Sequence, residues 1–342
     1  MNFTAIKIFL LCIAMATSAL AVCQPLDPNM DGDFRPQRCI SAIFQTGIAA
    51  ENGNVSGKVI EVRSELLDNG NKVQIWDRYT QNGLVPGAVQ EWFLIPAGRL
   101  GTEMSYFIFN KQYEKYLDSR LDGGAVTVRA ADNSANQKWL MQTLEGKVTY
   151  MNAETNSVLT RTGTTNGSIM TLKTLSFAAT QRFLKRPSSN PFISILHVAP
   201  RARGDVGAMF ACADSPSLFL TDDGSAFTLR DRNATTQSQR TFQAFHPQTS
   251  CDFGTLSNNG DLGSLSNPVP GTVIGKTNSV EPPASRQLWY IFESKVPFEY
   301  YIVNAEFGLA LTVDSPVRAL QTMRAQLLGT AGARQRWKFI RN

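Results

Sequence analysis

Five times along this chain a glutamine, one spacer and an aromatic ring follow one another: Gln90-Glu91-Trp92, Gln137-Lys138-Trp139, Gln181-Arg182-Phe183, Gln287-Leu288-Trp289 and Gln335-Arg336-Trp337. A ring beside a primary amide has two chemistries open to it. It can lay its face on the apolar C–H side of a sugar while the amide binds hydroxyls, or it can fill a core while the amide ties down backbone. A different stretch, Val73-Gln74-Ile75-Trp76-Asp77, alternates apolar and polar residues. On a strand that pattern puts Gln74 and Trp76 on one face and Val73 and Ile75 on the other. A tryptophan among polar side chains suits the mixed surface of a sugar.

Little else offers chemistry. His197 and His246 are the only histidines, and neither has the spacing of a metal site or of a Ser-His-Asp constellation. No Gly-rich phosphate loop is present. Asp27-Pro28-Asn29-Met30-Asp31-Gly32-Asp33 opens like a calcium loop, but its twelfth position is Arg38, a cation where a bidentate carboxylate belongs. These residues read as a flexible leader. The expectation is a protein that is not an enzyme and holds no metal or cofactor.

The elements that position the motifs repeat with them. A sixth, degraded copy is expected at Arg240-Thr241-Phe242, and from aromatic to aromatic the steps are 47, 44, 59, 47 and 48 residues. Such a period marks units that bury their apolar faces only together, and the one long step divides them three and three. Short strand candidates lie at residues 58–62, 72–76, 106–110, 126–129 and 298–303. Turn clusters such as Thr165-Asn166-Gly167-Ser168 stand between such segments, and no stretch after the N-terminus keeps a helical period. The pattern implies an all-β chain.

Three segments carry a family resemblance. Lys58-Val59-Ile60-Glu61-Val62 with Val73-Gln74-Ile75-Trp76 and Gln90-Glu91-Trp92 is one. Lys115-Tyr116-Leu117-Asp118 with Ala125-Val126-Thr127-Val128 and Asn136-Gln137-Lys138-Trp139 is another, and Ser157-Val158-Leu159-Thr160 through Gln181-Arg182-Phe183 is the third. Each resembles a repeat of the ricin B-type lectins, and the pattern restarts near Phe192 and runs to Ile340. The resemblance implies two tandem β-trefoils, at residues 40–186 and 191–342, joined by a linker at 187–190. It also implies that Trp92, Trp139, Phe183, Phe242, Trp289 and Trp337 are core residues whose glutamines hold a turn.

Sugar binding, by the same resemblance, rests on an early aspartate, a glutamine beside an exposed aromatic, and an asparagine before the motif glutamine. The first repeat offers Glu61, Gln74, Trp76 and Gln90, with Val89 in the asparagine place. The second offers Asp118, Asn136 and Gln137, with Arg129 in the aromatic place. Elsewhere the aspartate position reads Thr160, Thr221, Gly263 or Thr312. The resemblance thus implies a carbohydrate-binding protein with weak, partly degenerate sites and glycans or glycoproteins as partners. The alternative is a protease inhibitor or secreted interaction protein that binds a protein through trefoil loops such as residues 252–278.

At the N-terminus Lys7 precedes the apolar run 8–16, and Ala19-Leu20-Ala21 supplies small residues, so residues 1–21 read as a signal peptide and 22–39 as the leader of a secreted protein. No later apolar run reaches membrane-spanning length. After removal of Cys12 four cysteines remain, with three connectivities; proximity favours Cys23 with Cys39 and Cys212 with Cys251. Asn54, Asn166 and Asn233 begin sequons. The excess of 33 Lys+Arg over 28 Asp+Glu is scattered. Arg334, Arg336 and Lys338 make a basic stripe read as a solvated strand face, and no nucleic-acid partner is expected.

Overall fold

The computed structural model describes residues 45–49, 58–63, 70–77, 88–144, 147–187, 209–224, 226–232, 239, 242–245, 253–256, 261–278, 285–304 and 306–340. The expected signal peptide and leader, linker residues 188–190, both histidines, and Cys23, Cys39, Cys251, Asn54 and Asn233 lie outside them. Strands form where β-branched and aromatic residues cluster between turns. Lys58–Val62, Asn71–Asp77, Glu103–Asn110, Ala125–Arg129 and Glu299–Asn304 occupy the segments anticipated from sequence. Among the described residues the helices are single 3-10 turns, and none is long and apolar enough to cross a membrane.

Among the described residues the strands fall into six successive units of four. The first holds Gln45–Ala49, Lys58–Val62, Asn71–Asp77 and Trp92–Leu100, the second Glu103–Asn110, Lys115–Asp122, Ala125–Arg129 and Lys138–Leu144, and the third Lys147–Asn152, Val158–Arg161, Met170–Lys173 and Leu184–Pro187. The fourth begins at Met209–Cys212 and the sixth ends at Trp337–Ile340; in the fifth the third strand is split into Thr272–Val273 and Gly275–Asn278. The 3-10 turns at 88–90, 135–137, 179–181, 285–287 and 332–335 each end on the motif glutamine, and the ring falls at or within one residue of the start of the fourth strand.

Each set of three units closes on itself. Gln45–Ala49 pairs with Leu184–Pro187, and Met209–Cys212 pairs with Trp337–Ile340, so the first and last strands of each half meet as antiparallel neighbours. Closure removes the open edges that would otherwise invite pairing with another chain. The middle strands of each unit fold as a hairpin across one end, as in Glu61↔Gln74 and Leu117↔Val128. The fold is two tandem β-trefoils. Trp92, Trp139, Phe183, Val73, Ile75, Leu117 and Leu159 form the interior of the first, and Trp289, Trp337, Leu220, Leu229 and Leu311 belong to that of the second.

Candidate functional site

The motif residues divide the work of holding each unit. Four indoles donate from Nε1 to a carbonyl of the unit's second strand: Trp92 to Ile60 at 2.9 Å, Trp139 to Leu117 at 3.0 Å, Trp289 to Gly263 at 3.0 Å and Trp337 to Leu311 at 3.2 Å. Phe183 is fully buried without needing such a bond, and the side chain of Phe242 lies outside the described residues. The glutamine staples a turn. Gln137 Nε2 donates to Ala130 O at 2.7 Å while its Oε1 accepts from Asp132 N at 3.0 Å. Gln181 spans Thr174 O and Ser176 N, and Gln335 spans Leu327 O and Gly329 N, in the same way. These glutamines bond backbone on both sides of a turn, and both they and the four indoles are buried.

Two positions read from sequence shift. The fourth unit has its glutamine after all: Gln239, buried, donates from Nε2 to Asp231 O at 2.7 Å and to Thr221 Oγ1 at 3.4 Å, as Gln335 does to Leu327 O and Thr312 Oγ1. The spacing there is Gln-x-x-Phe, one residue longer, which is why Arg240 looked like its replacement. In the fifth unit the Trp289 bond to Gly263 fixes the register. The residue after that carbonyl, in the place of Glu61, Asp118 and Thr312, is Ser264 and not Gly263. Gln239→Ala is expected to cost about 1–3 kcal/mol in urea unfolding, as Gln335→Ala should, because each strands buried acceptors. A cost below roughly 0.5 kcal/mol would return position 239 to an ordinary surface residue.

Of the expected sugar contacts in the first unit, Glu61, Gln74 and Gln90 come together, all buried. Gln74 Nε2 donates to Glu61 Oε1 at 2.8 Å and Gln90 Nε2 to Glu61 Oε2 at 2.9 Å, so both carboxylate oxygens have internal donors. Trp76 is half-buried on the same strand and lies beside a turn of the third unit. A Cβ on Gly167 would stand 3.8 Å from its ring, and Gly167 N and Ile75 N exchange bonds with Ile75 O and Ser168 O at 3.0 and 2.9 Å. Exposed polar groups complete this surface in a closed ring. Lys58 Nζ donates to Asp77 Oδ1 at 2.7 Å and to Asn166 Oδ1 at 2.6 Å, and Asn166 Nδ2 donates to Asp77 Oδ2 at 2.7 Å. The bonds from Lys58 and Asn166 hold the Asp77 carboxyl below the usual carboxylate range.

The second unit is closed by charge. Asp118 is fully buried and accepts from Arg120 Nε at 2.8 Å, from Arg120 N at 2.9 Å, from Arg120 Nη2 and from Gln137 Nε2 at 3.1 Å, with Arg129 Nε 4.0 Å away. The bond to Asp118 pushes the Arg120 guanidinium above its usual range. Asn136 Oδ1 accepts from Ser119 Oγ at 2.8 Å. In the third, fourth and sixth units Thr160, Thr221 and Thr312 each donate to the carbonyl two residues back and accept, or stand to accept, from the motif glutamine.

A second staple escaped sequence reasoning. Asn110, Asn152 and Asn304 stand directly across from Trp92, Trp139 and Trp289. Asn152 Nδ2 donates to Asn136 O at 2.8 Å and its Oδ1 accepts from Glu154 N and Thr155 N at 3.1 Å; Asn304 repeats this with Arg286 O, Glu306 N and Phe307 N. Cys212 takes this place opposite Trp337. It is a buried free thiol, pushed up by burial and eased by the backbone N–H groups of Asp214 and Ser215, the same two offsets that asparagine serves. Its expected partner, Cys251, lies outside the described residues. The signal was an asparagine ending the strand after each tryptophan, at spacings too irregular to stand out.

The basic stripe turns inward at Arg336, while the Lys338 side chain stays 41% exposed. Arg336 is 15% exposed and donates from Nε to Glu299 Oε2 at 2.7 Å, with Lys338 Nζ 3.7 Å from the other oxygen of Glu299. Among the described residues no group of three His, Cys, Asp or Glu stands as a metal site. The chain matches no protein-family model and no curated protein. Solved structures similar to it include the Polyporus squamosus lectin, 16% identical over 48% of this chain and 57% of that chain, at a TM-score of 0.36. Others are the agglutinin from Abrus precatorius, 16% identical over 87% of this chain and 96% of that one at 0.30, and the hemolytic lectin CEL-III, 14% identical over 89% and 66% at 0.32.

Proposed function

We propose that this is a secreted, non-catalytic carbohydrate-binding protein whose working site is the outer face of the first unit, with weak affinity and glycans or glycoproteins as its partners. The N-terminal apolar run supports export with loss of residues 1–21 and a leader at 22–39; the trefoils are assigned to 40–186 and 191–342 with the join at 187–190, of which Pro187 still pairs with Thr46 at the end of the first trefoil's closing strand. One observation carries the binding reading: the half-buried Trp76 ring lies against Gly167, and the residues next in sequence to these two, Asp77 and Asn166, hold exposed hydrogen-bonding groups that bond each other and Lys58. A ring face for C–H groups beside donors and acceptors for hydroxyls matches a sugar. Glu61, Gln74 and Gln90 act beneath it as a rigid polar floor, and in the second unit Asp118 is bonded by Arg120 and Gln137 and Asn136 by Ser119.

Glycan-array binding by the mature chain tests this. Trp76→Ala is expected to lose at least tenfold in glycan affinity while costing only about 1–2 kcal/mol of stability, since the ring is half-buried. Full binding by that variant sinks the assignment. A glycan on Asn166 would use the Nδ2 that now bonds Asp77 and would stand beside Trp76, so the array is run on glycosylated and unglycosylated protein.

A second reading, a protein-binding trefoil, rests on the loops of the second half. Val269, Phe298 and Leu320 hold large apolar side chains at 59, 71 and 63% exposure. Phe298 and Leu320 do so at φ of +63° and +64°, which a bulky residue adopts only at a cost. Apolar tips on a rigid barrel suit a protein partner. A blank array from natively folded protein selects this reading.

A further inference from the structure

Most strands of a closed trefoil should alternate, with one face to the core and one to water. Trp92-Phe93-Leu94-Ile95 and Phe107-Ile108-Phe109 do not, and all seven residues are buried. Trp92, Leu94 and Ile108 enter the first trefoil's core, whereas Phe93, Ile95, Phe107 and Phe109, with Tyr116, join the core of the second. Phe109 meets Tyr301 edge to face at 6.4 Å, and Tyr116 Oη donates to Leu328 O at 2.8 Å. The fit is close. A Cβ on Gly308 would lie 1.9 Å from Pro96 O, and one on Gly329 would lie 2.6 Å from Glu114 O.

Glu114 breaks a local rule at the centre of this surface. It sits four residues after Asn110, as Asn156 and Gly308 sit after Asn152 and Asn304, and all three adopt positive φ, at +52°, +52° and +65°. Asparagine and glycine tolerate that conformation; glutamate does not do so readily. Its carboxylate explains the exception. It accepts from the Tyr301 hydroxyl and from Lys295 Nζ at 3.0 Å, and Arg336 Nη1 lies 3.5 Å away, all from the second trefoil. Burial, and then the Glu114 charge, push the Tyr301 hydroxyl well above its usual range, which keeps it a donor.

We propose that this face of the first trefoil is a docking surface whose occupant is the second trefoil of the same chain. Glu114 is its key, and the two halves form one rigid body that unfolds as a unit. The consequence reaches function, because Trp76 and the loops bearing Phe298 and Leu320 are then held at a fixed separation, and a ligand on one half meets the other at a set geometry.

The full chain, with a protease site in place of Ser188-Ser189, is purified, cut and examined at micromolar concentration. The cut halves are expected to co-elute and to melt in a single transition. Glu114→Gln and Tyr301→Phe should each weaken their association at least tenfold, while Glu154→Gln, at an exposed turn, leaves it unchanged. Halves that separate at once, or an intact chain that melts in two independent steps, would overturn the shared body. Association held within twofold in both interface variants would overturn the role of Glu114, and the uncut variants show whether each still folds.

Discussion

Trp139→Ala is expected to lose about 3–5 kcal/mol of stability, the range for deleting a large aromatic side chain from a packed core. The ring is fully buried among Leu117, Val126, Val148, Tyr150 and Phe183. Its removal also strips Leu117 O of the indole N–H at 3.0 Å, and an orphaned buried carbonyl adds to the cost. Trp139→Phe, which keeps ring volume but not the donor, should recover more than half of the loss. Urea unfolding at neutral pH reads both. Were Trp139→Ala as mild as Trp76→Ala, the division between core rings and the half-buried Trp76 would be wrong.

Lys276→Met is expected to be as damaging, by about 3–5 kcal/mol, for an electrostatic reason. Lys276 Nζ lies 2.9 Å from both oxygens of Asp222, with side chains 7% and 0% exposed, and the pair joins the hairpin of the fourth unit to that of the fifth. Gly224 N is the other donor to Asp222, at 2.9 Å. A methionine fills the space of the lysine stem but leaves a buried carboxylate without its cation. Replacing both, as Asp222→Leu with Lys276→Met, should recover most of the loss, since a buried pair contributes little net stability over apolar residues of similar volume. A deficit unchanged in the double variant would show that packing and not charge is at stake.

Much of the architecture was legible from local pattern. The recurring glutamine and aromatic marked the units, and β-branched runs between glycine and asparagine turns marked strands such as Lys58–Val62 and Ala125–Arg129 almost to the residue. Where reading by position failed, the failure was one of register. Gln239 lies one residue outside the motif spacing and Ser264 one residue past the expected place, yet both are assigned by which carbonyl the buried ring or amide reaches. A hydrogen bond tolerates an extra residue in a loop; a sequence pattern does not.

The candidate site was legible as residues and not as an environment. Sequence alone determined that Glu61, Gln74 and Gln90 belong to one unit and that Gln74 and Trp76 share a strand, because strand periodicity is local. It could not show that Glu61 is already saturated by two amides, that Arg120 closes Asp118, or that Asn166, 89 residues beyond Asp77, completes the surface beside Trp76. Nor could it show that Arg336 faces Glu114 of the other trefoil instead of water. Composition and period dictate which faces must be buried and how often. What covers each face, and whether a polar group meets water or a partner, depends on contacts between distant segments, and only the closed tertiary structure decides those.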